Sequence, residues 1–317
     1  MVKKDLIIEQ LQILADNTEG FKSQAYKKAI RVLRNDYPSN EINSSRDVSQ
    51  LPGIGKKISA KIDELIEMDG EGNIQAVQKI MDEKEMETDE ERERRLTIKK
   101  ISKIHGVSEE VATRWYDRDG LRSIEEVKKR KDLSRASVAY LRHFDDLEMP
   151  IYRSQIEMLE VLFVYLLLTQ YDISDFRYGI TGSYRRGSAS SSDLDMVIAT
   201  DNFKLADVVD LLVKWGIILE ILAQGETKLM AIAQCPTKKW PAFRLDIWFV
   251  SENQWGAALL ATIGPKSYVT SVRERANKMG YKLTEKGLYR GNIRLPVFSE
   301  EEILDVLELK WIPPNKR

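Results

Sequence analysis

The sequence predicts a multidomain protein in which all-α units at the front are followed by an α+β region at the back. Up to about residue 148, apolar residues recur at helical spacing, as Ile7, Leu11 and Leu14 do. From Arg177 onward the pattern changes to short alternating segments that are typical of strands, separated by turns and two helices. The length of 317 residues allows two or three compact units.

The predicted elements of the back half follow from apolar alternation, turn residues and helical spacing. We predict strands over 178–181, 193–199, 217–222, 228–234 and 244–250, and helices over 205–214 and 254–262.

Composition argues against several classes of protein. A single cysteine and two histidines argue against a disulfide framework, a cysteine zinc site and a histidine-rich metal site. No apolar run reaches the length of a membrane span; the longest, 161–168, is predicted to be a core helix. The N-terminus does not resemble a signal peptide, so we expect an intracellular protein without a membrane partner.

The net charge of −1 hides an uneven distribution of charge. The acidic excess lies at 82–91, which predicts a solvated linker or a helix end. The units on either side of it are mildly basic, which permits phosphate binding.

The front half contains one motif twice. Leu51-Pro52-Gly53-Ile54-Gly55 lies between predicted helices, and Ile104-His105-Gly106-Val107-Ser108 repeats the pattern. Glycines let such a hairpin approach a phosphate, and its consecutive carbonyls can hold a monovalent cation. The alternative is a corner between helices that binds nothing, and it weighs more for the second hairpin.

Three aspartates lie in apolar strand contexts. Asp193 and Asp195 are two residues apart, so their carboxylates project from the same side of a strand, and Asp246 lies in another apolar strand. Adjacent carboxylates repel, and a hard divalent cation such as Mg²⁺ or Mn²⁺ removes that cost. Single aspartates at strand ends exposed to water are the alternative.

The segment Gly182-Ser183-Tyr184-Arg185-Arg186-Gly187 precedes the paired aspartates. Its backbone N–H groups, hydroxyl and guanidinium groups suit an anion, and its position predicts a triphosphate as the ligand. Simple turn chemistry is the alternative.

These segments, together with Arg244-Leu245-Asp246, resemble the palm of the beta-like DNA polymerases of the X family. The resemblance extends over nearly the whole chain. It implies an α+β nucleotidyltransferase palm and a small α+β thumb behind helix-hairpin-helix domains. The implied domains are a lyase-like domain over 1–80, an acidic linker over 81–95, a DNA-binding subdomain over 96–148, the palm over 149–250 and a nucleotide-binding subdomain over 251–317.

The resemblance also implies residue roles for nucleotide addition. Asp193, Asp195 and Asp246 would bind two divalent ions, with Asp246 accepting the primer 3′-hydroxyl proton, oriented by Arg244. The implied nucleotide-binding residues are Gly182, Ser183, Arg186, Ser192, Ala261, Gly264 and Arg273, of which Arg273 would reach the template strand. Lys228 would contact the primer strand.

A second site is implied near the first hairpin. Lys61 would be a lyase nucleophile that forms a Schiff base with an aldehyde, and Lys22, Tyr26 and Lys57 would line its pocket and bind the 5′-phosphate. Gly53, Gly55 and Gly106 would approach DNA. Na⁺ or K⁺ would bind the carbonyls of the two hairpins, those of Ser49, Leu51 and Ile54, and of Ser102, Ile104 and Val107.

The sequence departs from the family pattern in several places. Ala261-Thr262 replaces a tyrosine–phenylalanine pair, Val269 replaces an asparagine, Glu148 replaces an arginine and Ser108 replaces a glycine. These changes bear on sugar selectivity, fidelity and nucleotide affinity. The segment 264–268 is similar to that of small viral members, so the expected location is the nucleus or a cytoplasmic viral replication site.

The expected function is template-directed filling of short gaps in base excision repair, by a monomer acting on gapped or nicked DNA and deoxynucleoside triphosphates. One alternative is a template-independent terminal or RNA-tailing nucleotidyltransferase. Family members that work without a template carry a long loop where this chain has the short segment 235–241, which favours templated synthesis. A non-catalytic DNA-binding scaffold is the other alternative, although all three aspartates and Lys61 are present.

Overall fold

The computed structural model describes residues 1–18 and 20–317, with side chains except those of residues 20, 21 and 84–86. The chain divides into two compact units, Met1–Glu93 and Arg94–Arg317. The division falls within the segment 81–95, where an acidic linker is expected; its side chains at 84–86 lie outside the described residues. The predicted fold class is confirmed, because helices dominate the front and a mixed sheet with helices forms the back.

The first unit is helical around a single apolar core. Its elements are β1 (Val2–Lys3), α1 (Lys4–Asp16), α2 (Gly20–Asn35), β2 (Glu41–Ile42), α3 (Lys56–Glu67), α4 (Gln75–Met86) and the start of α5 (Asp89–Ile101). The apolar faces of α1, α2 and α3 pack together, with Leu11, Leu33 and Leu65 fully buried. The antiparallel pair of β1 and β2 is a departure from the all-helical prediction, which two-residue strands are too short to signal.

Four short helices follow α5 in the second unit. They are α6 (Glu109–Asp117), α7 (Ile124–Lys128), α8 (Arg135–Arg142) and α9 (Phe144–Leu147). Three of them begin at a serine, Ser108, Ser123 and Ser134, whose hydroxyl accepts a backbone N–H of the first turn. Such caps satisfy donors that the helix itself leaves unpaired, and so they define where each helix starts.

A five-stranded sheet carries the middle of the second unit. The elements in this region are β3 (Ile151–Tyr152), α10 (Arg153–Leu168), β4 (Arg177–Ile180), α11 (Gly182–Arg185), β5 (Ser190–Ser191), β6 (Asp193–Ala199), α12 (Leu205–Lys214), β7 (Ile218–Gln224), β8 (Lys228–Ala233) and β9 (Phe243–Val250). The strand order is β4-β6-β9-β8-β7, in which only β6 and β9 run parallel. The predicted strand 193–199 and helix 205–214 are confirmed at those bounds, and the other four strands lie within two residues of their predicted ends.

Different helices pack against the two faces of the sheet. The C-terminal elements are α13 (Trp255–Thr262), α14 (Lys266–Lys278), β10 (Lys282–Thr284), β11 (Gly287–Arg290), β12 (Ile293–Arg294) and α15 (Glu300–Val306). On one face, α10 and α12 pack over the apolar residues of all five strands. On the other, α13 packs over Val197 and Val250, and α8 packs over Ile232. Between α13 and α8 this second face presents polar residues.

The prediction that 161–168 is a core helix is wrong for one face of α10. Phe163, Leu166 and Leu167 are buried, but Val161 is 70% exposed and Tyr165 is 61% exposed. The run is apolar all round, whereas the sheet covers only one side of the helix.

Within the described part of the chain, no helix combines the length and the apolar character that crossing a membrane would require.

Candidate functional site

The three predicted carboxylates lie on the polar face of the sheet, on its two parallel strands. In the register of β6 and β9, Asp193 pairs with Arg244 and Asp195 pairs with Asp246. Paired residues on adjacent strands project to the same side, so both pairs face the same way. The structure therefore brings Asp193, Asp195 and Asp246 together with Arg244 at one end of these strands.

Arg244 bridges two of the carboxylates. Its Nη2 donates to Asp193 Oδ2 at 2.5 Å and to Asp246 Oδ2 at 3.3 Å. The other oxygen of Asp246, Oδ1, is buried and has no hydrogen-bond partner among the described residues. Arg244 lies between these two carboxylates. Among the described residues, no three Asp, Glu, His or Cys side chains are already arranged to hold a metal ion. An orphaned carboxylate oxygen beside two other carboxylates is nevertheless suited to a hard cation.

Asp195 is held against the backbone of the glycine loop. The N–H of Thr181 donates to the Asp195 carbonyl at 2.8 Å. Gly182 has φ +58°, and a Cβ at this position would lie 2.3 Å from Asp195 Oδ2. Only glycine combines this backbone conformation with so close an approach. The glycine that the sequence singles out thus makes room for a carboxylate of the site.

Burial and mutual repulsion disfavour the ionised form of the carboxylates of this site. Burial, followed by the charges of Asp193 and Asp246, raises the pKa of Asp195 to about 7. Burial also raises the pKa of Asp246, against the opposing effects of Arg244 and Lys228. Cations bound between the carboxylates would relieve both effects.

The raised pKa of Asp195 predicts a loss of stability with rising pH in the metal-free protein. The folded state holds this proton up to pH about 7, whereas the unfolded state releases it near pH 4, so stability falls as pH rises through that window. The full effect is roughly 4 kcal/mol in the free energy of unfolding. We expect Asp195→Asn to remove most of the decrease between pH 5 and pH 8, as measured by urea unfolding in EDTA. An equal decrease in stability in both proteins would show that ionisation of Asp195 does not cause the pH dependence.

Of the predicted nucleotide-binding residues, Gly182, Arg186 and Ser192 lie near the carboxylates. Ser183 Oγ donates to Ser191 Oγ at 2.6 Å, and Ser192 Oγ donates to Asp193 Oδ1 at 3.3 Å. Arg186 donates to the Ile263 carbonyl, directly before Gly264. This bond joins the glycine loop to the turn between α13 and α14. Ala261, near the end of α13, lies two residues before Ile263 in the chain. Arg273 lies further along α14 and is exposed.

Lys228 lies on the same face of the sheet as Asp246. Its Nζ is 4.2 Å from the centre of the Trp248 ring, and its neighbour on the strand face, Met230, pairs with Asp246. Lys228 opposes the rise in the pKa of Asp246, so it supplies positive charge to the site. The predicted primer-strand residue is therefore beside the carboxylates.

Two residues near Arg244 were not predicted from the sequence. Tyr140 of α8 packs against the apolar cluster that contains Ile232, and Ile232 pairs across the sheet with Arg244. Burial and the charge of Arg244 lower the pKa of His105, in the second hairpin. No periodicity or spacing indicates these neighbours, because they depend on how α8 packs on the sheet and on where the second hairpin lies.

The two hairpins share one backbone geometry. Ile54 N donates to the Leu51 carbonyl at 3.1 Å, and Val107 N donates to the Ile104 carbonyl at 3.0 Å. A glycine with positive φ, Gly53 or Gly106, lies in each turn.

The position after the turn explains one departure from the family pattern. Gly55 and Ser108 precede α3 and α6 with φ −91° and −77°, which any residue can adopt, and Ser108 Oγ accepts from Val111 N. Serine therefore introduces no backbone strain at this position, where the first hairpin has glycine. Cation binding by the hairpin carbonyls stays a prediction.

An open pocket of about 640 Å³ lies in the first unit. The four residues predicted for a lyase site, Lys22, Tyr26, Lys57 and Lys61, all line it. Lys61 is half-buried, whereas Lys22 and Lys57 are exposed at the rim. Glu64 and Lys79 also line the pocket and were not predicted, although the spacing of Glu64, three residues after Lys61 on α3, was a usable signal.

Known domain families match most of the chain. A helix-hairpin-helix domain matches residues 2–69 and the fingers domain of DNA polymerase lambda matches residues 99–148. The DNA polymerase beta palm matches residues 155–252 and the DNA polymerase beta thumb matches residues 258–317.

Whole proteins are similar over almost the full chain. DNA polymerase lambda of Rattus norvegicus is 24% identical over 98% of this chain and 56% of its own length. DNA polymerase lambda of Arabidopsis thaliana is 25% identical over 94% of this chain and 58% of its own length. DNA nucleotidylexotransferase of Ambystoma mexicanum is 25% identical over 99% of this chain and 68% of its own length. None of these three is viral, so they lend no support to the expected viral affinity.

The chain thus spans less than two thirds of the length of the two lambda relatives. The matched domains follow one another in the order that the structure shows, with a helical front, a sheet that carries the three aspartates and a C-terminal α+β region. The chain belongs to the X family of DNA polymerases.

Proposed function

We propose that the protein is a template-directed DNA polymerase that fills short gaps during repair and carries a separate 5′-deoxyribose-phosphate lyase site. The observation that carries the first part is the placement of Asp195 beside Asp246 and of Asp193 beside Arg244, on one face of two parallel strands. The similarity to DNA polymerase lambda supports DNA and deoxynucleoside triphosphates as substrates.

Each side chain of the site has a task in this proposal. Asp246 accepts the proton of the primer 3′-hydroxyl, and Arg244, which already donates to it, keeps its carboxylate oriented. Ser183, Arg186 and the Ser192 backbone bind the triphosphate of the incoming nucleotide. Lys228 binds the primer strand.

Asp193, Asp195 and Asp246 would hold two Mg²⁺ or Mn²⁺ ions, which would supply positive charge to stabilise the attacking and leaving oxygens of an in-line displacement. The buried Asp246 Oδ1 without a partner and the raised pKa of Asp195 both support a cation between these carboxylates.

The lyase part of the proposal rests on the pocket of the first unit. Lys61 is the nucleophile, because it is the half-buried lysine of the four predicted pocket residues. Lys22 and Lys57 at the rim bind the 5′-phosphate, and Tyr26 forms part of the wall.

The test of the polymerase proposal is nucleotide choice in a one-nucleotide gap. Each of the four deoxynucleotides is offered opposite each of the four template bases, with single-stranded primer as the control. We expect insertion to follow Watson–Crick pairing and to be much weaker on the single strand. Insertion that ignores the template base would contradict the proposal.

A second candidate is template-independent synthesis, because one relative is a DNA nucleotidylexotransferase. The short connection between β8 and β9, residues 234–242, disfavours this candidate, because a long loop is expected there in template-independent enzymes. The single-strand control above decides between the two.

Sugar selectivity is predicted to be weak. Ala261 and Thr262 end α13, the Thr262 hydroxyl donates back to the Ala258 carbonyl at 2.8 Å, and Val269 is buried. A steric or polar contact with a 2′-hydroxyl contributes roughly 1–3 kcal/mol, and small side chains here remove it. We expect the ratio of kcat/KM for dGTP over GTP, opposite template cytosine, to rise about tenfold to a hundredfold in the double variant Ala261→Tyr, Thr262→Phe. Equal ratios in the two proteins would show that side-chain bulk does not select the sugar.

A further inference from the structure

A carboxylate without an assigned role shares the pocket with Lys61. Glu64 lies three residues after Lys61 on α3, so both side chains project from the same face of the helix. Both line the 640 Å³ pocket, and both are half-buried. A lysine nucleophile and a carboxylate on adjacent turns are the two groups that imine formation and proton abstraction require.

Glu64 is oriented by the neighbouring helix. Its Oε1 accepts the backbone N–H of Gln75, the first residue of α4, at 2.5 Å. A carboxylate has acceptor sites on both oxygens, so this bond fixes the side chain and leaves Oε2 able to accept a proton.

The other carboxylate among the described residues that line the pocket is less suited to this task. Glu83 lies at the edge, with its side chain 64% exposed, and pairs with Lys79 at 3.8 Å. Burial raises the pKa of Tyr26, so its phenol stays protonated at neutral pH and is a poor proton acceptor. Position and orientation therefore favour Glu64.

We propose that Glu64 is the general base of the elimination step in the lyase site. The proposal rests on the lyase function proposed above. Lys61 Nζ condenses with the C1′ aldehyde and water leaves. Glu64 then takes a proton from C2′, and the electron pair of that C–H bond moves into the imine. As the C3′–O bond breaks, that electron pair returns to form the C2′–C3′ double bond and restore the imine, and the electron pair of the C3′–O bond leaves with the phosphate of the downstream strand. Water finally hydrolyses the imine, which frees Lys61 and the unsaturated sugar phosphate, and Glu64 returns its proton to solvent.

The test separates imine formation from elimination in the full-length protein. The substrate is duplex DNA with a 5′-deoxyribose phosphate, and the variants are Glu64→Gln and the control Glu83→Gln. Glutamine at position 64 keeps a carbonyl that can accept from Gln75 N, which preserves the local fold. Imine is measured as the adduct trapped by borohydride, and elimination as the rate of sugar phosphate release without borohydride.

We expect Glu64→Gln to form at least as much trapped adduct as the wild type and to release product about a hundredfold more slowly. Deuterium at C2′ should slow release further in this variant, because proton removal limits the rate. Glu83→Gln should release product at a rate within about threefold of the wild type, since replacing a residue that takes no part in the reaction changes the rate little.

Release by Glu64→Gln at the wild-type rate would overturn the proposal. Loss of adduct and release together would also overturn it, because Glu64 would then be needed for imine formation. A wild-type protein that forms no adduct would refute the lyase function itself, and the base assignment with it.

Discussion

The variant Asp246→Ala is expected to incorporate nucleotides at less than about a thousandth of the wild-type rate. Asp246 is the most buried of the three carboxylates that the sheet brings together, and its Oδ1 lies buried without a hydrogen-bond partner in the described part of the structure. In the proposed mechanism this residue both holds a cation and accepts the 3′-hydroxyl proton. Alanine removes both functions at once. The rate is measured by single-turnover insertion into a one-nucleotide gap at saturating nucleotide.

The control for this variant is Asp210→Ala, which removes an exposed carboxylate from α12 on the opposite face of the sheet. It should insert nucleotides at close to the wild-type rate. Affinity for gapped DNA should change by less than about threefold in both variants, because phosphate contacts from basic residues dominate it. If Asp246→Ala kept more than a few per cent of the wild-type rate, Asp246 would not be part of the reaction centre.

Lys61→Ala is expected to remove nearly all of the borohydride-trapped adduct on DNA that bears a 5′-deoxyribose phosphate. Lys61 is the half-buried lysine of the pocket, and alanine leaves no amine at the position where the aldehyde would bind. The amount of adduct is measured by gel electrophoresis after brief reaction, so that slow attack by other lysines contributes little.

Lys56→Ala is the matched control for this variant. Lys56 begins the same helix and is exposed, but it is not one of the residues lining the pocket. Its adduct should equal that of the wild type. Undiminished trapping in Lys61→Ala would transfer the nucleophile's role to another lysine of the pocket, Lys22, Lys57 or Lys79.

Much of the proposed polymerase site could be predicted from the sequence, because local patterns determine it. The strands that carry Asp193, Asp195 and Asp246 are short apolar runs, and side chains alternate between the two faces of a strand, so the strand bounds and the common direction of Asp193 and Asp195 follow directly. The glycine loop is equally local, whereas the close approach of Gly182 to Asp195 is seen only in the structure.

Other features depend on contacts between residues far apart in the chain. The bonds from Arg244 to both Asp193 and Asp246 require the parallel register of β6 and β9. Tyr140 reaches this region only because α8 packs on the sheet. The exposed face of α10 illustrates the opposite problem, since an apolar run predicts burial but does not show how much of the helix the sheet covers.

Two separate active sites in one chain are tested most directly by measuring both reactions on a single substrate. A one-nucleotide gap that carries a 5′-deoxyribose phosphate on its downstream strand is given to the wild type, Asp246→Ala and Lys61→Ala. We expect the wild type to insert the templated nucleotide and to release the sugar phosphate. Asp246→Ala should lose only insertion, and Lys61→Ala should lose only release. Loss of both reactions in either variant, or neither reaction in the wild type, would contradict two separate active sites in one chain.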